Sequence, residues 1–130
     1  MYGFHATLQM PFDQAVDRVM AALKEQGFGV LSDIDVQGAM KEKLGEQMRP
    51  YRILGACNPP LAYKALQAEA DVGLLLPCNV VVRQDNDQQV TVAFVDPLVM
   101  MEMVKQPEVR NVAEDAEQRL RKVCEELGRS

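Results

Sequence analysis

The sequence predicts an α+β protein, an antiparallel sheet with its long helices packed on one face. Three observations lead there. Val90, Val92 and Phe94 alternate with Thr91, Ala93 and Val95, the period of a half-buried strand. Asp85, Asn86 and Asp87 form a tight-turn signal just before it, so the apolar run upstream pairs with that strand as a hairpin. Two longer segments, one after Pro11 and one from about Glu108 to Leu127, place their apolar residues at helical spacing instead.

The elements follow in order. Tyr2 to Met10 reads as the first strand. Pro11 opens a helix at its first position, where a missing N–H costs nothing, and Phe12, Ala15, Val16, Val19, Met20 and Leu23 share one face. Gly27 ends this helix, and Phe28 can pack back on Leu23. Val30 to Ile34 is a second short strand. Asp35 caps a short helix that carries Val36, Met40 and Leu44 on one side and stops at Gly45. Tyr51 to Cys57 is the third strand. Asn58 then caps a helix whose first turn takes Pro59 and whose inward side holds Leu61, Ala62, Ala65 and Leu66.

Leu74 to Gln84 reads as the fourth strand and Gln89 to Val95 as the fifth. Asp96-Pro97 starts a Met-rich helical turn, which Pro107 breaks. The last helix buries Val109, Val112, Ala113, Ala116, Leu120, Val123, Cys124 and Leu127. No linker interrupts the chain, so residues 1–130 are expected to form a single α+β domain. The second face of the sheet needs cover. The two short helices can supply it, or a second subunit can, and a homodimer is expected.

Composition excludes several functions. A net charge of -5 with no cluster of Lys or Arg argues against a nucleic-acid partner. Val72 to Val82 is too short, and too interrupted by Pro77 and Asn79, to cross a bilayer, so no membrane partner is expected. Met1-Tyr2-Gly3-Phe4-His5 lacks the basic and apolar regions of a secretory signal, and the expected location is cytoplasmic. Three cysteines fit reduced thiols better than a disulfide framework.

Two of those cysteines stand in matching contexts: Gly55-Ala56-Cys57-Asn58-Pro59 and Leu76-Pro77-Cys78-Asn79-Val80. Each puts Cys before Asn, next to a proline, at the edge of an apolar run. Twenty residues separate Cys57 from Cys78, enough for one helix and a return, so the two thiols meet if their strands are antiparallel neighbours. Cys57 precedes a helix start, where exposed N–H groups favour an anion and can lower a thiol pKa. Such a pair can form a reversible disulfide or hold a soft metal, with His5 as a third ligand if its strand is adjacent. No CxxC or HxxxH spacing is present, however, and no metal or cofactor is assigned.

Together with Asp35-Val36 and Lys43-Leu44-Gly45, the segments Ile53-Leu54-Gly55-Ala56-Cys57-Asn58-Pro59 and Gly73 to Val82 resemble a bacterial and archaeal family, domain of unknown function 302. The resemblance runs from about Phe4 to the last helix. Asp96-Pro97 before a Met-containing helix fits it too. It implies a curved antiparallel sheet with two main helices packed on one face, of TATA-binding-protein-like architecture. It implies no activity, because a fold of this kind hosts many functions.

Three functional readings follow. The first is a small-ligand-binding module with a pocket edged by Cys57, Asn58, Cys78 and Asn79, with His5 as a further candidate. The second is a thiol redox or nucleophilic enzyme using Cys57 and Cys78. The third is a structural or partner-binding module with both cysteines in the core. Asn58 has a plain alternative role as a helix cap. Cys124, on the buried stripe of the last helix, reads as structural.

Lys41, Lys43, Arg49 and Arg52 form a modest positive group, and Met100, Met101 and Met103 a soft apolar one. Thioethers can line an adaptable pocket, fill a core or bind copper(I). A Ser-His-Asp set is not visible with a single histidine, and no catalytic residue is assigned.

Overall fold

The computed structural model describes residues 1–128; the last two residues of the expected domain lie outside the described residues. Five strands, β1 (Gly3–Leu8), β2 (Gly29–Asp35), β3 (Tyr51–Cys57), β4 (Cys78–Asn86) and β5 (Gln89–Val95), form one sheet. Its spatial order is β1-β5-β4-β3-β2, and every pair is antiparallel. The helices are α1 (Phe12–Glu25), α2 (Val36–Leu44), α3 (Pro59–Ala68), α4 (Pro97–Met100) and α5 (Pro107–Gly128). The α+β class is as expected, with the two long helices, α1 and α5, packed against the sheet.

The inward face of the sheet follows from strand alternation. Ala6 and Leu8, Val90, Val92 and Phe94, Val80 and Val82, and Leu54 and Ala56 are all buried in the main core. Ala15, Val16, Val19 and Leu23 of α1 and Leu120, Val123 and Leu127 of α5 complete it. A second cluster joins Ala65 of α3 to Val109 and Ala113 of α5, with Val72 and Met101 between them. Both α3 and α4 pack on α5.

Local signals explain most boundaries. Gly27 has φ +85°, and the N–H groups of Phe28 and Gly27 donate to Leu23 and Lys24 carbonyls, each at 3.0 Å. This is the glycine-ended turn that returns Phe28 to the core. Asp35 caps α2 by accepting from the Gly38 N–H at 2.9 Å.

Four expectations are corrected. Leu74 does not begin a strand. Residues Ala70–Leu75 form a 3-10 helix capped by Glu69, which lets Val72 reach the second core cluster, and β4 starts only at Cys78. Asp85 is not in the hairpin turn either. Asn86 pairs with Gln89, so the tip is Asp87 and Gln88, and Asp85 sits at a register shift where its carboxylate accepts from Arg83, Gln89 and Thr91. Pro107 opens α5 rather than only breaking the segment before it. Finally, α2 has no buried residue: Leu44 is 68% exposed, and Val36 and Met40 reach no core cluster.

Candidate functional site

The register places the two Cys-Asn segments side by side. Ala56 of β3 faces Cys78 of β4, and Gly55 faces Asn79. The end of β3 and the start of β4 are thus antiparallel neighbours, as the sequence required for the thiols to meet. Cys57, Asn58 and Cys78 line one small cavity of about 40 Å³, together with Leu61 of α3, Met101, and Ala113 of α5. All three cysteines are free thiols.

Asn79 and His5 lie elsewhere. Side chains alternate along a strand, so Asn79 points to the face opposite Cys78. There it lines a separate pocket of about 330 Å³ with His5. The five candidate residues therefore line two separate pockets. Adjacency in the sequence concealed this for Cys78 and Asn79, successive residues of β4 that face opposite sides.

Asn58 is a structural residue by its bonds. It is 7% exposed, its Oδ1 accepts from the Leu61 N–H at 3.3 Å, and its Nδ2 donates to the Gln26 carbonyl at 3.4 Å. Arg119 donates to the same carbonyl at 3.2 Å. The amide of Asn58 thus serves the start of α3 and the end of α1.

These bonds also change the chemistry of Cys57. The start of α3 was expected to favour a thiolate. Its first two residues, Pro59 and Pro60, carry no N–H, and the third, Leu61, gives its N–H to Asn58. The helix end therefore has no donor there for an anion. Burial pushes the Cys57 thiol up instead. Cys78 is pushed up to about 11 by burial first and then by the neighbouring Cys57. Both thiols are protonated at neutral pH. Cys124 lies away from the cavity; its thiol donates to the His5 carbonyl at 3.3 Å.

The second pocket is built from the outward face of the sheet. One row of residues crosses all five strands: His5 faces Ala93, Ala93 faces Val81, Val81 faces Ile53, and Ile53 faces Ile34. Helix α3 packs on α5, while Met100 at the end of α4 reaches the rim of this pocket. Val81, Ala93 and Val95 supply an apolar floor, with His5, Asn79, Tyr51 and Arg83 around it. Arg83 is anchored through Nε to Asp85 at 3.0 Å.

Tyr51 and Arg83 were not picked out from the sequence. They face each other across β3 and β4, and only the register reveals that pairing. Alternation in β5 was the available signal, since it set Ala93 and Val95 opposite the core residues. The expected positive group is dispersed: Arg52 is paired with Asp33 and Arg49 with Asp87. The Met100–Met103 group is also divided, for Met101 is buried whereas Met103 is 74% exposed. Among the described residues, no three His, Cys, Asp or Glu side chains form a metal cluster, and no helix is long and apolar enough to cross a membrane.

Comparison with known proteins agrees with this architecture. No curated protein matches the chain. The crystal structure of an uncharacterized conserved DUF302 protein from Bacillus stearothermophilus is similar over 96% of this chain and 97% of that one, with 30% identity and a TM-score of 0.87. A family model for a domain of unknown function, DUF302, matches residues 4–127. On this evidence the chain belongs to the DUF302 family.

Proposed function

We propose that this protein is a small-ligand-binding module whose site is the outward face of the sheet. The carrying observation is the pocket of about 330 Å³ in which an apolar floor meets His5, Asn79, Tyr51 and Arg83. Its size and its pattern of few polar groups around an apolar surface suit a small organic molecule. The ligand class is a flat apolar body with a polar or anionic edge. The body rests on Val81 and Ala93, and the edge meets His5 and the Arg83 guanidinium.

Anilinonaphthalene sulfonate, an apolar ring system with an anionic group, is a direct probe. Its fluorescence is expected to rise on binding the native protein. Ala93→Arg, which fills the floor at a partly exposed position, is expected to abolish that rise, whereas Cys57→Ser leaves it intact. No binding by the native protein, or equal binding by Ala93→Arg, would remove this reading.

The protein also acts as a homodimer in this proposal, and α2 favours it. Helix α2 lines up Val36, Met40 and Leu44 yet buries none of them, and Leu31 and Ile34 of the adjoining edge strand are 72% and 50% exposed. A helix of nine residues gains little stability alone and needs a packed face. A second copy would cover this apolar arm. Sedimentation at micromolar concentration checks it, and a 14.5 kDa species alone would exclude the dimer. The thiol-enzyme reading is not favoured, because both candidate thiols are held in the neutral form.

A further inference from the structure

We propose that the outward-face pocket selects a planar aromatic carboxylate, held by the terminal nitrogens of Arg83, and that Asp85 and Thr91 are positioning residues for that guanidinium. This rests on the small-ligand reading of the same pocket.

Arg83 is the only Lys or Arg side chain that lines this pocket. Among the described residues its guanidinium donates one hydrogen bond, from Nε to Asp85 Oδ1 at 3.0 Å. Both terminal nitrogens are left to donate to a ligand. Their N–H groups lie in one plane and match the two oxygens of a carboxylate. The Asp85 carboxylate offsets part of the Arg83 charge. A single negative charge therefore suits the site better than the double charge of a phosphate monoester.

The guanidinium is held by an unusual piece of strand. Gln84 pairs with Val90 and Asn86 with Gln89, so Asp85 is the extra residue of a β-bulge and has no partner on β5. A bulge re-aims a side chain. Here Asp85 Oδ2 accepts from the Thr91 hydroxyl and from Gln89 Nε2, the latter at 3.3 Å. Thr91 faces Arg83 across β4 and β5 and is 5% exposed. A buried hydroxyl thus fixes the acid, and the acid fixes the guanidinium. The hydrogen bond from Thr91, ahead of that from Arg83, holds the Asp85 carboxyl below its usual range, so it stays charged beside Arg83.

The floor sets the shape of the ligand's body. Val81 and Ala93 stand in one row across the sheet, and Tyr51 faces Arg83 in the next. Small side chains on a sheet leave a shallow surface, which a flat ring covers better than a branched chain. A ring on Ala93 and Val81 brings its carboxylate to Arg83, two residues along β4, and turns its far edge toward His5 on β1.

Calorimetric titration of the full chain with naphthoate, its neutral counterpart naphthamide and naphthyl phosphate tests the proposal. The native protein is expected to bind naphthoate about tenfold more tightly than either of the others. Arg83→Gln is expected to erase that preference and leave naphthamide binding unchanged. Arg83→Lys keeps the charge without the fork and is expected to lose most of the preference too. Asp85→Asn and Thr91→Val are expected to weaken naphthoate about threefold, with naphthamide again unchanged. Asp85 is exposed, so its variant keeps the test sound if Thr91→Val does not fold. An Asp85 acting only through its charge would give the reverse, since removing a negative charge beside Arg83 strengthens anion binding. Equal binding of naphthoate and naphthamide by the native protein, a preference for the phosphate, or unchanged or tighter naphthoate binding in Asp85→Asn would overturn the proposal and leave the small-ligand reading standing. Binding of none of the three would remove both.

Discussion

Asn58 and Gln26 join the start of α3 to the end of α1. The Asn58 Nδ2 donates to the Gln26 carbonyl at 3.4 Å while its Oδ1 caps Leu61 at 3.3 Å. One amide therefore satisfies two groups that a helix start and a helix end would otherwise leave bare. Gly27 must stay small beside it, since a Cβ there would lie 2.9 Å from Nδ2. Asn58→Ala removes both bonds and is expected to destabilise the fold by about 1–2 kcal/mol in urea unfolding. Asn58→Asp keeps the cap and loses the donor, so it recovers part of that loss. Wild-type stability in Asn58→Ala would contradict the bridging role.

Gly55 is the contact point between the two Cys-Asn segments. A Cβ at this position would lie 2.8 Å from Pro77 Cγ and collide with the Ser32 hydroxyl. Gly55→Ala is expected to cost about 1–3 kcal/mol through overpacking. Adding Ser32→Ala relieves the serine clash but leaves the rigid proline ring, so only partial rescue is expected. Full rescue would show that Pro77 yields freely. Thermal unfolding of the two variants separates the cases.

Asp33 and Arg52 give a pH signature. Arg52 Nε donates to Asp33 Oδ1 at 2.7 Å, and a second nitrogen meets Oδ2. The hydrogen bond from Arg52 holds the Asp33 carboxyl below its usual value. The folded state thus favours the charged form. Its contribution is present above the unfolded value near pH 3.9 and is lost as pH falls through the folded value. Both side chains are near 30% exposed, so the effect is expected to stay under about 1 kcal/mol and to shrink in salt. Asp33→Asn should remove this part of the acid dependence in unfolding curves measured at pH 7 and below pH 3.

The thiols titrate in the opposite sense. Burial raises Cys57, and it raises Cys78 to about 11. Between the free-thiol value near 8.5 and that raised value, the unfolded chain gives up its proton before the folded one. Stability is therefore expected to fall as pH rises through this window, and Cys78→Ala to flatten the fall. Iodoacetamide should modify Cys57 more slowly than a free-thiol peptide at pH 7.5, as read by mass spectrometry. An equal rate would contradict the raised thiol, and a faster one would restore an activated thiol.

Much of the fold was written in local patterns. The stripe of α5, the Asp35 cap, the Asn58-Pro59 start and the Gly27-Phe28 turn all appear as expected, because each depends on residues within one or two turns. The segment from Ala70 to Leu76 misled for the same reason. Its apolar run suits a strand, but Val72 gains more by reaching Ala65, Val109 and Met101 from a tight helical turn.

The sequence by itself determined the α+β class and the helix caps, and made a meeting of the two Cys-Asn segments conditional on their strands being neighbours. Tertiary structure alone decided which side of the sheet each candidate faces. Strand register is a long-range property, and a step of one residue carries a side chain from one face to the other. That step separates Cys78 from Asn79. It sets Asn79 with His5 on the outward face and leaves Cys57 and Cys78 with Met101, a residue more than twenty positions away in the chain. The raised thiols have a tertiary cause as well, since packing withdraws them from water while the prolines of α3 supply no compensating N–H.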